Sequence, residues 1–158
     1  MSLLEFCRWL QYSAPLVEMR GSPWFFPVIA TVHLFGLAII GGAVLLVDLR
    51  LLGFGVRGTP VASLVRDAER WLFRGLCVAI PTGILLFMCF ATKYYYLTFF
   101  WVKLTALVLV IVFTFSVHRR VALVDDSRVN PAWSRVVATV SLSLWTVVAL
   151  GGRYIGFP

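Results

Sequence analysis

Residues 30–53 read ATVHLFGLAIIGGAVLLVDLRLLG, an apolar run with a histidine, His33, near its start and Asp48-Leu49-Arg50 near its end. Together with the residues before it, this run keeps Phe25–Val47 free of charge except for any on His33. A bilayer core of about 30 Å is crossed by roughly 20 helical residues, so the stretch predicts a membrane-spanning helix. Three more such blocks follow. Gly75–Thr92 and Val136–Gly152 carry no charge, and Tyr94–Val117 carries only Lys103.

The whole composition agrees. Of 158 residues, 61% are hydrophobic and 13% charged, where a soluble domain carries about 25% charged residues. Mean hydropathy is +0.93. A barrel strand would show about 10 residues of alternating polarity, and none of these blocks alternates. The reading is an all-α fold: a single four-transmembrane-helix bundle over 1–158, with spans at about 24–47, 73–92, 95–117 and 134–153. The last block is short and reaches past Arg135 or Arg153, whose long side chains snorkel. Pro81 is tolerated inside a membrane helix, because neighbours satisfy the carbonyl it frees.

The chain opens MSLLEFCRWL, with an acidic residue and no small-residue cleavage site, so no signal peptide is expected. Ser2-Leu3-Leu4-Glu5 has the form of a capping box. Leu3, Phe6, Cys7 and Leu10 then share one helical face, opposite Glu5 and Arg8. Residues 2–12 therefore read as a short interfacial amphipathic helix, lying along the membrane or capping the bundle.

Orientation follows from the arginines. Arg50, Arg57, Arg66, Arg70 and Arg74 follow the first span; Arg119, Arg120, Arg128 and Arg135 follow the third. Only Arg8, Arg20, Lys93 and Arg153 face the other way. The positive-inside rule makes the two rich loops cytoplasmic and both termini periplasmic, in a bacterial inner membrane. The net charge of +7 is then a topology signal, and no polar domain exists to carry a nucleic-acid-binding face. The three cysteines match no disulfide or zinc pattern and read as small apolar packing residues.

With topology set, depth can be compared. At about 1.5 Å per residue, His33 lies roughly 13 Å inside Trp24 and Lys103 about 10 Å below the outer surface. Met88, in the second span, and Arg153, closing the fourth, belong to the same outer half. His118 differs from His33 in depth by something on the order of 20 Å, so one haem plane cannot take both as axial ligands. His118 reads as an interfacial residue at a helix end, and Asp48 as a partner for Arg50, Arg119 or Arg120.

Lys103 is costly inside a bilayer, at about 2.5–3.5 kcal/mol on insertion scales. It either snorkels outward or faces the bundle and meets an anion. His33 is either a neutral histidine bonded to a Thr or Ser hydroxyl on a neighbouring helix, or a ligand. Ala38 and Gly42 suit close helix packing; Gly36, one turn from His33, suits either packing or a flat ring against the backbone. The aromatic residues cluster on the outer side, in Trp24-Phe25-Phe26, Tyr94-Tyr95-Tyr96 and Phe99-Phe100-Trp101, as an interfacial belt does.

Pro27, Thr31-Val32-His33-Leu34-Phe35-Gly36 and Asp48-Leu49-Arg50-Leu51-Leu52-Gly53 together resemble a family of uncharacterised bacterial four-helix integral membrane proteins. Thr92-Lys93, Lys103-Leu104, His118-Arg119 and Gly152-Arg153 fit the same pattern, which covers almost the full chain. It departs at Ala30, where members often carry a glutamate, so a proton-transfer role for that carboxylate does not carry over. More distantly, a first-helix histidine with a third-helix lysine is similar to copper-resistance D-type proteins and to the oxygen-independent membrane protoporphyrinogen oxidase. Those resemblances reach His33 and Lys103 alone, and imply copper movement or haem b.

Two functional expectations result. In the first, His33 ligates haem b or copper in the outer half of the bundle, with Met88 as a second ligand, since imidazole and thioether suit haem iron and Cu(I). Lys103 and Arg153 then hold propionates or steer an anionic partner, and the task is electron transfer with a periplasmic partner, or copper transport. In the second, the protein is a membrane anchor or accessory subunit of a larger complex, with His33 and Lys103 as contacts between helices or between subunits. A homo-oligomer would reunite histidines that one chain keeps apart.

Overall fold

A computed structural model describes residues 2–54, 61–123 and 130–156. Arg57 and Arg128 of the arginine count lie outside the described residues. Within those segments all the regular structure is helical. The elements are α1 (Leu3–Gln11), α2 (Ala14–Gly21), α3 (Phe25–Leu51), α4 (Val61–Cys89), α5 (Ala91–Tyr96) and α6 (Thr98–Phe113). A π-helical turn, Thr114–His118, joins α6 to α7 (Arg119–Leu123), and α8 spans Pro131–Ile155.

Four helical stretches are long and apolar enough to cross a membrane: Phe25–Leu51, Ala62–Cys89, Thr98–Val121 and Pro131–Ile155. The bundle is that of a multi-pass membrane protein. Several hydroxyls on these helices are satisfied within them: Thr31, Thr139, Ser143 and Thr146 each donate to the carbonyl four residues back, at 2.7–2.8 Å. Such back-bonding lets a polar side chain face lipid without an orphaned donor. At the start of α8, Asn130 accepts from Ala132 N–H at 3.0 Å and Pro131 occupies the first turn, where its missing N–H costs nothing.

The helices pack as two pairs, α3 with α4 and α6 with α8, joined by contacts of α3 with α8. Ile40, Ala43, Val44 and Val47 of α3 meet Val65, Ala68, Leu72, Leu76 and Ala79 of α4 in the larger core. Ala106 and Val110 of α6 meet Val148 of α8 in the smaller one. Trp145 packs on both clusters and ties the pairs together.

The α3–α4 crossing depends on missing side chains. A Cβ on Gly36 would sit 3.1 Å from Ala79 N, and one on Gly75 would sit 2.6 Å from Ile40 Cγ1 and 3.1 Å from Gly36 O. Gly36 therefore serves close helix approach, with Ala79 filling the space beside it. Ala38 and Gly42 do not: Ala38 is exposed and nothing lies within 4 Å of a Cβ on Gly42.

At the end of the bundle that carries the termini, three short helices close over the long ones. The capping box of α1 is present: Glu5 N–H donates to Ser2 Oγ at 3.2 Å and Ser2 N–H to Glu5 Oε2 at 2.7 Å. Of the apolar face, Cys7 is buried and Leu10 half-buried, while Leu3 and Phe6 stay exposed. Gln11 Oε1 accepts from Thr92 N–H at 2.8 Å. Arg20 of α2 donates to Cys89 O at 3.0 Å, capping α4, and lies 5.8 Å over the Phe90 ring. Cys7, Cys77 and Cys89 are free thiols; Cys7 and Cys89 are buried and Cys77 is exposed.

The opposite end corrects two expectations. His118 is buried, and Asp48 is paired with it, Nε2 to Oδ1 at 2.7 Å, where arginine partners and an interfacial histidine were expected. The π turn brings this about: it ends at His118 and buries Thr114 and His118 against the bundle. Arg119, the next residue, pairs with Glu69 of α4 at 2.6 Å.

Candidate functional site

His33 lies on the face of α3 that looks across to α4. Its Nδ1 is 3.0 Å from Thr82 Oγ1. The threonine fixes the tautomer, because its hydroxyl lies 2.6 Å from Val78 O and 3.2 Å from Ala79 O and spends its one proton there. Thr82 Oγ1 is left as an acceptor, so His33 carries its proton on Nδ1 and presents Nε2 as a lone pair. Gly83 makes room for the ring: a Cβ there would be 3.0 Å from His33 Cε1. Pro81 and Thr82, adjacent on α4, thus combine a helix irregularity with the hydroxyl that orients the imidazole. The hydroxyl bond expected of a packed histidine is present, the Ala79 backbone carbonyl also accepts from the ring, and no side chain among the described residues is bonded to Nε2.

Lys103 faces the bundle. Its stem runs along two glycines of α8: a Cβ on Gly151 would lie 3.0 Å from Lys103 Cβ, and one on Gly152 would lie 3.3 Å from Nζ. These glycines give the ammonium a groove inside the bundle that any larger residue would fill. No ion pair or hydrogen bond reaches Nζ from the described residues, which leaves a partly buried cation in apolar surroundings.

Two cavities share His33 and Lys103. One, of about 330 Å³, lies between α3, α4 and α6 and is closed by Leu76, Ile84, Phe87 and Phe100. The other, of about 450 Å³, lies between α3, α6 and α8 and reaches Gly152 and Arg153. Trp145 borders both. Their sizes fall in the range of small-molecule and cofactor sites, about 300–1,000 Å³. Phe87 and Phe100 stack with ring centroids 5.1 Å apart, and Tyr94 stacks on Phe100 at 5.6 Å. An aromatic column therefore leads from the first cavity to α5.

Of the sequence-derived site residues, the fold brings His33, Lys103 and Arg153 around one cavity. Met88 is half-buried further along α4 and lines neither. Among the described residues no three His, Cys, Asp or Glu side chains gather as a metal-binding group. Thr82, Gly83 and Trp145 were missed from sequence. A threonine beside a proline in a membrane helix was the available signal for the first; nothing local marks the other two.

Residues 24–158 match the model of a family described as of unknown function, DUF6644. No curated protein matches the chain, and no solved structure matches it.

Proposed function

This chain belongs to DUF6644, and we propose that within it His33 and Lys103 hold a flat, anionic redox cofactor, haem b, for electron transfer at the membrane surface that bears the termini. The observation that carries the reading is one cavity wall shared by an imidazole held through Nδ1 and an ammonium with no anion beside it among the described residues. A partly buried cation in apolar surroundings is costly until it is paired. A carboxylate-bearing ligand pairs it.

The donor set favours haem over a bare metal ion. Haem brings four nitrogens of its own and needs one more from the protein. His33 supplies that donor, oriented by a hydrogen bond on its other ring nitrogen, as ligating histidines are. A copper ion would find one imidazole and no thioether or thiolate in either cavity. When bound, haem supplies a one-electron couple. Lys103 and Arg153 would pair its carboxylates, Trp145 and the aliphatic walls would exclude water, and the aromatic cluster would direct the site towards a periplasmic or membrane-bound partner.

The test is a visible spectrum of detergent-purified protein, oxidised and dithionite-reduced, with metal analysis on the same sample. A Soret band and sharpened reduced α and β bands, lost in His33→Ala at unchanged helicity, are expected. Stoichiometric copper without a Soret band replaces haem by copper. A colourless, metal-free protein that also fails to take up added haem overturns the reading in favour of a membrane anchor or accessory subunit.

A further inference from the structure

The end of the bundle remote from His33 holds a second intramembrane site. Asp48 is fully buried, at 0% exposure, and one of its oxygens accepts from His118 Nε2. Among the described residues its other oxygen, Oδ2, has no hydrogen-bond partner, and neither has the buried Thr114 Oγ1. Beside Thr114 and His118 is a cavity of about 20 Å³, lined also by Glu69 among apolar residues. One water needs about 10–15 Å³, so this is a one-water space with polar walls.

Glu69 makes that space more than a packing defect. The same glutamate borders an open groove of about 390 Å³ lined by Arg66, Arg70, Arg74 and Arg119. Groove, Glu69, small cavity, His118 and Asp48 thus form a continuous series from the surface to a fully buried carboxylate. Arg119 holds the glutamate at 2.6 Å. The histidine sits on a π turn, a local geometry frequent at functional sites.

We propose that Asp48 and His118 form a proton-binding site inside the bundle, loaded from the arginine-rich end through Glu69. With Asp48 as carboxylate, Nε2–H donates to it, so Nδ1 is the nitrogen that gains or loses the proton. A proton passes from water in the groove to the Glu69 carboxylate and across the small cavity to Nδ1, and returns the same way. Only O–H and N–H bonds form and break, and the pair changes charge by one. At this end the helices carry Asp48 and Arg50 on α3, Arg66, Asp67, Glu69, Arg70 and Arg74 on α4, Arg119 and Arg120 on α7 and Arg135 on α8. Of these, Glu69 alone shares the small cavity with His118. Intramembrane carboxylate and histidine groups of this kind mark proton relays. This site stands independently of any cofactor at His33.

The experiment is solid-state NMR of uniformly labelled wild-type protein in lipid bilayers, following His118 ring nitrogens and the Asp48 carboxyl carbon over about pH 4–10. A single transition seen at both residues is expected. Glu69→Gln should retain the transition and slow hydrogen–deuterium exchange at the His118 ring by about tenfold or more. Resonances that stay fixed across the range overturn the proposal and leave a structural pair. Unchanged exchange in Glu69→Gln overturns the route. The wild-type titration needs no variant, so a misfolded mutant does not decide the outcome.

Discussion

His33 and Thr82 are joined across the α3–α4 interface by a 3.0 Å hydrogen bond whose direction the threonine dictates. Thr82 gives its proton to Val78 O, at 2.6 Å, and can only receive from the imidazole. Replacing it by valine removes the hydroxyl acceptor and leaves the ring held by the Ala79 carbonyl, less firmly oriented. Haem affinity should fall about 10–100-fold, the usual loss for a partner behind a metal ligand. Thr82→Ser should restore it. Titration of haem into stripped protein measures this, and equal affinities for valine and wild type would remove Thr82 from the site.

Two glycines on the same interface should respond differently. At Gly83 an added methyl meets the His33 ring at 3.0 Å, a side chain able to shift by a few tenths of an ångström. Gly83→Ala should therefore weaken ligand binding with little change in thermal stability. At Gly36 the obstacle is Ala79 backbone, 3.1 Å away, which cannot yield without moving a helix. Gly36→Ala should cost about 1–3 kcal/mol, as overpacking does. Unfolding curves for the two variants, beside their spectra, separate the effects.

Asp48 and His118 should depend on each other for stability. Asp48→Ala leaves a buried polar partner unmatched, at about 3–5 kcal/mol. Changing both to leucine exchanges the pair for apolar volume, which is often neutral or stabilising. The double variant should recover most of the loss when unfolded in a detergent mixture. A double variant no better than the single one would show that local packing, and not the pair, sets the cost.

Tyr94, on α5, stacks on Phe100 and beside Phe87, and burial raises its phenol above the ordinary tyrosine value. The folded protein then keeps a proton that the unfolded chain gives up near pH 10. Stability from this source is complete below that pH and declines as pH rises towards the folded value. Tyr94→Phe should flatten the alkaline limb of a melting-temperature profile. An identical limb in both proteins would place its cause elsewhere.

The long helices were legible because each apolar block exceeds what a soluble helix needs, and the capping box of α1 is written in four adjacent residues. Depth along the blocks also placed His33, Lys103 and Arg153 in one layer. Rotation about each helix axis was not legible, since helices apolar on every side carry little sign of which face turns inward. Met88 shows this, sharing the depth of His33 but not its cavities. Asp48 and His118 are 70 positions apart, and only the π turn sets their facing. The short helices α2 and α5 lack the length for a periodic signal.

Arg20 reaches Cys89 across 69 positions, and Gln11 reaches Thr92 across 81. The segment ahead of the first long helix therefore has its docking surface made only when the second long helix is finished. Until then Cys7 and Leu16, both buried in the finished fold, have no seat and must wait at the lipid surface. Assembly of this bundle is accordingly ordered in time, with the segment ahead of α3 locking only after α4 and α5 are in place and before α6 and α8 are needed.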